Sequence, residues 1–297
     1  MGQVPYVDIT ADEFAEASTA QRNLLVLLDT EEKFGMVVDN FLEYEQGLLS
    51  LALHHMAWHD VGDWSPSRKS ISLINRRLAN FLTVSRLYSD HLMHDLSTVY
   101  GRQSSESKSV DDQAKAQSKR LFGYRVMVEL RNSLQHRSLP ITLLQYPVAP
   151  EERANTRLLH HRVSAYFKIK DLSDDTRFER SILHELQQAH KDTVDLGPFI
   201  REYVEGLGHV HQELRRVTQS AVDAWQATVL GMIQRYRDVS QQEIKRVILY
   251  RLDDKENTLE EKQLFRDGID HLRQQRRRPV PTGMSGWYVS NEISRSI

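Results

Sequence analysis

From Thr10 to about Trp58, apolar residues recur at three- and four-residue steps: Leu24, Leu27 and Leu28, then Phe34, Val37, Val38, Phe41 and Leu42, then Leu48, Leu49, Leu51 and Leu53. That rhythm marks one buried face of amphipathic helix, and its length predicts two helices in succession. The turn-rich DVGDWSPS, Asp60 to Ser67, precedes a further helix of roughly Ser70 to Val99, carried by Leu73, Ile74, Leu78, Phe81, Leu82, Leu87 and Leu92. Gly101 to Lys119 is polar and rich in Ser and charge, and reads as a mobile loop or a frayed helix start. The helix Val126 to Pro140 follows, closed by a proline that lacks an amide hydrogen and disfavours a preceding α conformation.

Beyond Pro140 the period changes from three or four to two. Val163, Ala165, Phe167 and Ile169 alternate with Arg162, Ser164, Tyr166, Lys168 and Lys170, the signature of a strand with one wet face. Ile141 to Val148 supplies a hairpin partner, with Pro147 placing it at an edge. RVILYRL, Arg246 to Leu252, and GWYVS, Gly286 to Ser290, are weaker strand signals. Helix returns near Thr176, and after Gly197-Pro198 a long segment carries Phe199, Tyr203, Leu207, Val210, Leu214, Val217, Ala221, Ala224 and Thr228 near heptad spacing. Thr258-x-x-Glu261 predicts a capping box for a last helix through about Gln274. The expected fold is mainly α, with a small β-hairpin or sheet insertion and a long helix in the C-terminal half. Its expected division is a helical bundle over 1–140 and an α+β extension over 141–297, with the hairpin at about 141–170 and the long helix at about 198–238.

Composition narrows the class. With 297 residues, 40% of them hydrophobic, the chain can bury a core of ordinary size. A net charge of −2 supplies no global attraction to nucleic acid. Charge is uneven, however: residues 1–60 balance to −9 and residues 61–140 to +6, so the Val126–Pro140 helix lies in the basic part. The absence of cysteine excludes disulfides, thiolate nucleophiles and Cys-ligated metal. MGQVPYVDITADEF has neither the basic nor the apolar region of a signal peptide, and no apolar run reaches the length of a membrane span. The expectation is a soluble cytoplasmic protein without a membrane partner.

The common catalytic motifs are absent: no GxxxxGK[ST], no GxGxxG after a strand, no GxSxG and no HExxH. Histidines are plentiful, and His54-His55, His59, His160-His161 and His209-x-His211 stand close in sequence. None has a third ligand at a diagnostic spacing, so structural roles are expected and no metal is assigned. Gly206-x-Gly208 lies inside a helical pattern, which predicts a bend or a packing contact.

What remains is VMVELRNSLQHRSLP. At roughly 100° per residue, Arg125, Glu129, Asn132 and His136 fall within about 60° of one another, opposite Gly123, Met127, Leu130 and Leu134. Arg131 comes out roughly 140° from His136, so the two act on one group only if the helix is irregular, the Arg arm wraps round, or a second copy faces the first.

Leu130-Arg131-Asn132 followed by His136, at the end of an amphipathic helix in a mostly helical chain, resembles the signature of the HEPN family: Arg, commonly a polar residue such as Asn, then His after four to six residues. Arg-x(4–6)-His recurs here at Arg86, Arg153, Arg177 and Arg266, but requiring Asn after Arg lowers the chance expectation to roughly 0.1. The resemblance covers about residues 10–140 and implies an antiparallel helical bundle that forms a homodimer, two motif helices lining one cleft. It further implies a metal-independent ribonuclease without cofactor, acting on RNA, of the kind found in toxin–antitoxin modules and anti-phage defence, where an antitoxin or defence-complex partner is expected. Two residues beyond the His, where active toxin-type members often carry Tyr, this chain has Ser138.

The pair is chemically suited to that reaction. An imidazole of unperturbed pKa near 6.5 takes a proton from a 2′-hydroxyl or delivers one to a leaving 5′-oxygen. The fixed planar cation of Arg131 holds the phosphate and stabilises charge developing on its oxygens. Asn132 orients the phosphate or the imidazole, and Glu129 pairs with Arg125 or fixes the His tautomer. Three other readings stand beside this one. The module is degenerate and binds a nucleotide, nucleic acid or protein without cleaving; it is a helical subunit of a larger complex; or these residues are an ordinary solvated face, with His136 at a helix C-terminus and Arg125–Glu129 as an i,i+4 pair.

Overall fold

In this computed structural model the structure describes residues 5–59, 64–134, 139–153, 156–176, 178–241, 244 and 246–289. Four helices come first: α1 (Ala11–Trp58), α2 (Trp64–Tyr100), α3 (Ser105–Arg120) and α4 (Phe122–Leu134). Strands β1 (Leu143–Gln145), β2 (Val148–Arg153), β3 (Thr156–His161) and β4 (Ser164–Lys168) follow, then α5 (Ile169–Ser173), α6 (Arg180–Ala189) and β5 (Thr193–Asp195). The long α7 (Gly197–Ser240), the strands β6 (Arg246–Leu252) and β7 (Thr258–Phe265), α8 (Arg266–Arg277) and a single 3-10 turn (Met284–Gly286) complete the order among the described residues. The protein is mainly helical with small antiparallel sheets. Among the described residues no helix is long and apolar enough to cross a membrane.

Two units are distinguished by their internal contacts. The first comprises Met1–Gly35, Asp90–Asp111 and Gln212–Pro279; the second comprises Met36–Ser89, Asp112–His211 and Val280–Ile297.

The first unit is built around Phe14, Ala17, Leu24 and Leu27 of α1, Val222, Val229 and Ile233 of α7, Val247 and Leu249 of β6, Leu264 of β7, and Ile269 and Leu272 of α8. A capping box opens α1: the Thr10 amide donates to Glu13 Oε2 at 2.8 Å and the Glu13 amide to Thr10 Oγ1 at 3.1 Å. Those bonds, with Arg235 beside it, hold the Glu13 carboxyl below its ordinary pKa. Deeper in, Glu31 is 2% exposed and receives Arg215 at 2.7 Å and Arg276 at 3.1 Å, tying α7 and α8 to α1. The expected capping box at Thr258-x-x-Glu261 is not one. Those residues lie in β7, paired antiparallel with β6 in a register that sets Glu261 opposite Tyr250, and the last helix starts only at Arg266.

The second unit packs Phe41 and Tyr44 of α1, Ile74, Leu78, Phe81 and Leu82 of α2, Val126, Met127 and Leu130 of α4, and Tyr203, Leu207 and Val210 of α7. Its three-stranded sheet has the order β1-β4-β5, antiparallel throughout, so the expected pairing of Ile141–Val148 with the alternating strand holds over Leu143–Gln145 against Ser164–Tyr166. A second hairpin, β2–β3, is inserted between those partners. Asn75 anchors the sheet's approach by donating to the Ile141 carbonyl at 2.7 Å and accepting its amide at 3.0 Å.

Three further expectations are corrected. The N-terminal helical run is one helix of 48 residues and not two. The polar stretch after Gly101 is helix α3, capped by Ser104, whose Oγ accepts the Ser107 amide at 3.1 Å. Trp287 to Val289 is not a strand, and Ser290 lies outside the described residues.

Candidate functional site

The sequence directs attention to α4, in the second unit. Its apolar side is as the helical period requires: Val126, Met127 and Leu130 are all buried. The seating is close because two glycines permit it. A Cβ on Gly123 would lie 2.6 Å from the Phe199 Cα of α7, and one on Gly206 of α7 would lie 2.9 Å from Cε2 of Tyr124 and closer still to Cδ2. The Gly123 amide also donates to Glu202 Oε2 at 2.6 Å. Gly206-x-Gly208 is therefore the expected packing contact, Gly208 making room for the Pro281 carbonyl.

The polar side of α4 is less open than its pattern suggests. Arg125 does not pair with Glu129. Its two terminal nitrogens grip Glu185 of α6 at 3.1 Å each, and its guanidinium lies 5.0 Å from the Phe122 ring centre. Glu129 accepts the Glu179 amide just ahead of α6 at 3.3 Å and the side chain of Asn132 at 3.4 Å. Ser133 donates to the buried Asp175 at 2.8 Å. The segment α5–α6, 42 to 60 residues downstream in these contacts, thus covers much of the face expected to be free.

Arg131 is the exception. It is half-buried, its Nε is buried without a hydrogen-bond partner, and no carboxylate pairs with it among the described residues. It neighbours Tyr124, two turns earlier on the same side of the helix, whose phenol burial pushes far above its ordinary pKa while the Arg131 charge pulls in the opposite direction. Asn132 is exposed. His136 and Ser138 lie outside the described residues, so Arg131, Asn132, Glu129 and Arg125 are the site residues whose positions are fixed here. Arg86, where the Arg-x(4–6)-His spacing also occurs, lies in the second unit with α4, whereas the His91 that completes that spacing belongs to the first.

Two histidine arrangements went unread in the sequence. His55, His59 and His161 pack with ring centres 5.3 to 6.0 Å apart, Tyr146 lying 5.1 Å from His55. Burial, and then the neighbouring His161 and His59, lower the pKa of His55. No group of three or more His, Asp or Glu side chains among the described residues is arranged to hold a metal ion. His211, fully buried on α7, shares a 3.0 Å hydrogen bond between its Nδ1 and the Tyr88 hydroxyl. The doublets His54-His55 and His160-His161 were the visible signal for the cluster, but its closure depends on pairing across 106 residues.

No family model matches the chain, and neither the curated proteins nor the solved structures contain a match.

Proposed function

We propose that this chain is a metal-independent endoribonuclease of HEPN type, built on an HEPN-like helical bundle and acting as a homodimer in a toxin–antitoxin or anti-phage defence system. Its catalytic pair is Arg131 and His136. The observation that carries the reading is the contrast between two arginines on one helix: Arg125 is consumed by Glu185, whereas Arg131 meets no carboxylate among the described residues and stands beside the exposed Asn132. A guanidinium that meets no counter-charge among the described residues, followed in sequence by Asn132 and, five positions after Arg131, by His136, is a cation with capacity for a phosphate.

In the reaction the 2′-oxygen of RNA bonds to phosphorus as its proton passes to an imidazole, the P–O5′ bond breaks, and the 5′-oxygen takes a proton. The products are a 2′,3′-cyclic phosphate and a 5′-hydroxyl. Arg131 holds the non-bridging oxygens through the step, and acid–base transfer by His136 contributes about 10²–10⁴-fold. Asn132 orients the phosphate. Glu129 and Arg125, engaged with the α6 region, hold α4 in place and do not touch RNA.

The test is cleavage of single-stranded RNA by the purified protein in EDTA, with end-group analysis of the products. His136→Ala and Arg131→Ala should each abolish cleavage while leaving the far-ultraviolet circular dichroism unchanged. One observation favours a second reading, in which the module binds RNA, a nucleotide or a protein without cleaving: α5–α6 already occupies much of the polar side of α4. In that case RNA stays intact and His136→Ala retains binding.

A further inference from the structure

In the second unit the β2–β3 hairpin forms a two-stranded sheet separate from β1-β4-β5, and a lone two-stranded ribbon is marginal in water. Its root has to be held. His161, which pairs across the ribbon with Val148 at that root, sets its Nδ1 3.5 Å from Nδ1 of His55 near the end of α1, with ring centres 5.3 Å apart. His59 follows α1 at a φ of 53°, donates its amide to the His55 carbonyl at 2.9 Å, and brings a third imidazole to 6.0 Å from each of the other two. Tyr146, between β1 and β2, lies 5.1 Å from His55 and is hydrogen-bonded to Ser70 of α2.

Two ring nitrogens that face each other share a hydrogen bond only while one carries the proton and the other keeps its lone pair. The contact therefore tolerates one positive charge and not two. With both rings protonated, N–H meets N–H and like charges meet at His55, which is 7% exposed. The charges that bear on His55 are those of His161 and His59, with the Tyr146 phenol as the other titratable neighbour, and no carboxylate among the described residues offsets them. We propose that His55 and His161 form a proton-operated clasp: with at most one charge between them they hold the hairpin root to α1, and a second proton releases it.

The sign follows from the surroundings. Burial and the neighbouring imidazoles disfavour charge on His55, so the closed clasp binds fewer protons than the open one, and acidification below about 6.5 favours opening. Charging His160 at the same time strengthens its 2.5 Å pair with Glu151 inside the ribbon, so the strands stay paired while their root comes free. The clasp uses no residue of α4 and does not rest on the ribonuclease reading.

Hydrogen exchange of the full-length protein at about pH 7.5 and 5.5, corrected for the intrinsic pH dependence of amide exchange, tests this. One extra proton taken up on opening changes the open population by up to about tenfold per pH unit, so Val148–Ala149 and His160–His161 should lose about tenfold more protection than strand β4. His55→Phe and His161→Phe each keep an aromatic ring in the clasp and remove the second proton, and each should abolish that difference. Glu151→Gln, which weakens only the ribbon's own pair, should preserve it. Nitrogen-15 spectra of the imidazoles in the unaltered chain give a second measure: protonation of both rings should coincide with loss of hairpin protection. The inference is overturned by equal loss in the hairpin and β4, by a difference that survives in both Phe variants, or by two protonated rings beneath a hairpin that stays protected.

Discussion

Replacing Gly206 by Ala tests whether close helix contact, and not chain flexibility, is what that glycine provides. Alanine is the better helix former by about 1 kcal/mol, so at an open site the change should stabilise. Gly206 is not open. The added methyl would lie 2.9 Å from Cε2 of Tyr124 and nearer to Cδ2, and the ring cannot retreat freely because Tyr203 stands 5.1 Å away, centre to centre. Overpacking a filled core costs about 1–3 kcal/mol, and two encroached ring atoms argue for the upper end. Subtracting the propensity gain leaves a net loss of about 2 kcal/mol. Gly231 on the same helix α7 is the control, since a Cβ there meets nothing within 4 Å and Gly231→Ala should gain about 1 kcal/mol. Urea unfolding followed by tryptophan fluorescence should therefore separate the two variants by about 3 kcal/mol, with opposite signs. Tyr124→Leu on the Gly206→Ala background should recover part of the loss. Equal stability of Gly206→Ala and Gly231→Ala would refute the packing argument, and with it the account of how α4 is seated.

Other outcomes follow from single contacts. Glu31→Gln strands two largely buried guanidinium groups, Arg215 and Arg276, on one another; it should cost about 3–5 kcal/mol and speed amide exchange in α8, with Glu31→Gln/Arg276→Met restoring part of both. The lowered pKa of His55 means that the unfolded chain takes up a proton before the folded one does. Stability should thus fall as pH drops below about 6.5 toward the folded pKa, and His55→Phe should flatten that slope in urea midpoints measured across the range. Arg131→Gln breaks no ion pair found among the described residues, so its unfolding midpoint should stay within about 0.5 kcal/mol of wild type even where RNA cleavage is lost.

The parts of the fold legible in the sequence are those where large apolar residues keep a local period. Val163 to Ile169, the long run after Gly197-Pro198 and the Met127–Leu130 face of α4 are of this kind. Helix α3 escaped because its buried side is made of Ser107, Val110 and Gln117, three- and seven-residue steps filled by small and polar side chains that a hydrophobicity pattern discounts. Thr258-x-x-Glu261 repeats the spacing that caps α1 at Thr10 and Glu13, yet at Thr258 cross-strand pairing with β6 outcompetes it. A four-residue motif cannot report a partner strand. The candidate site divides the same way. Which face of α4 is buried was readable, but the capture of Arg125 by Glu185 and of Ser133 by Asp175 comes from residues 60 and 42 positions downstream. Local spacing carries no trace of such partners.

Each of the two units draws on three separate stretches of chain, one before residue 90, one around the middle and one beyond residue 200. During synthesis neither can close its core until well over two-thirds of the polypeptide has left the ribosome, so α1 and α2 must wait with their apolar sides uncovered. A nascent chain of this kind is a natural client for chaperones, and a nick at almost any internal position should harm both units at once.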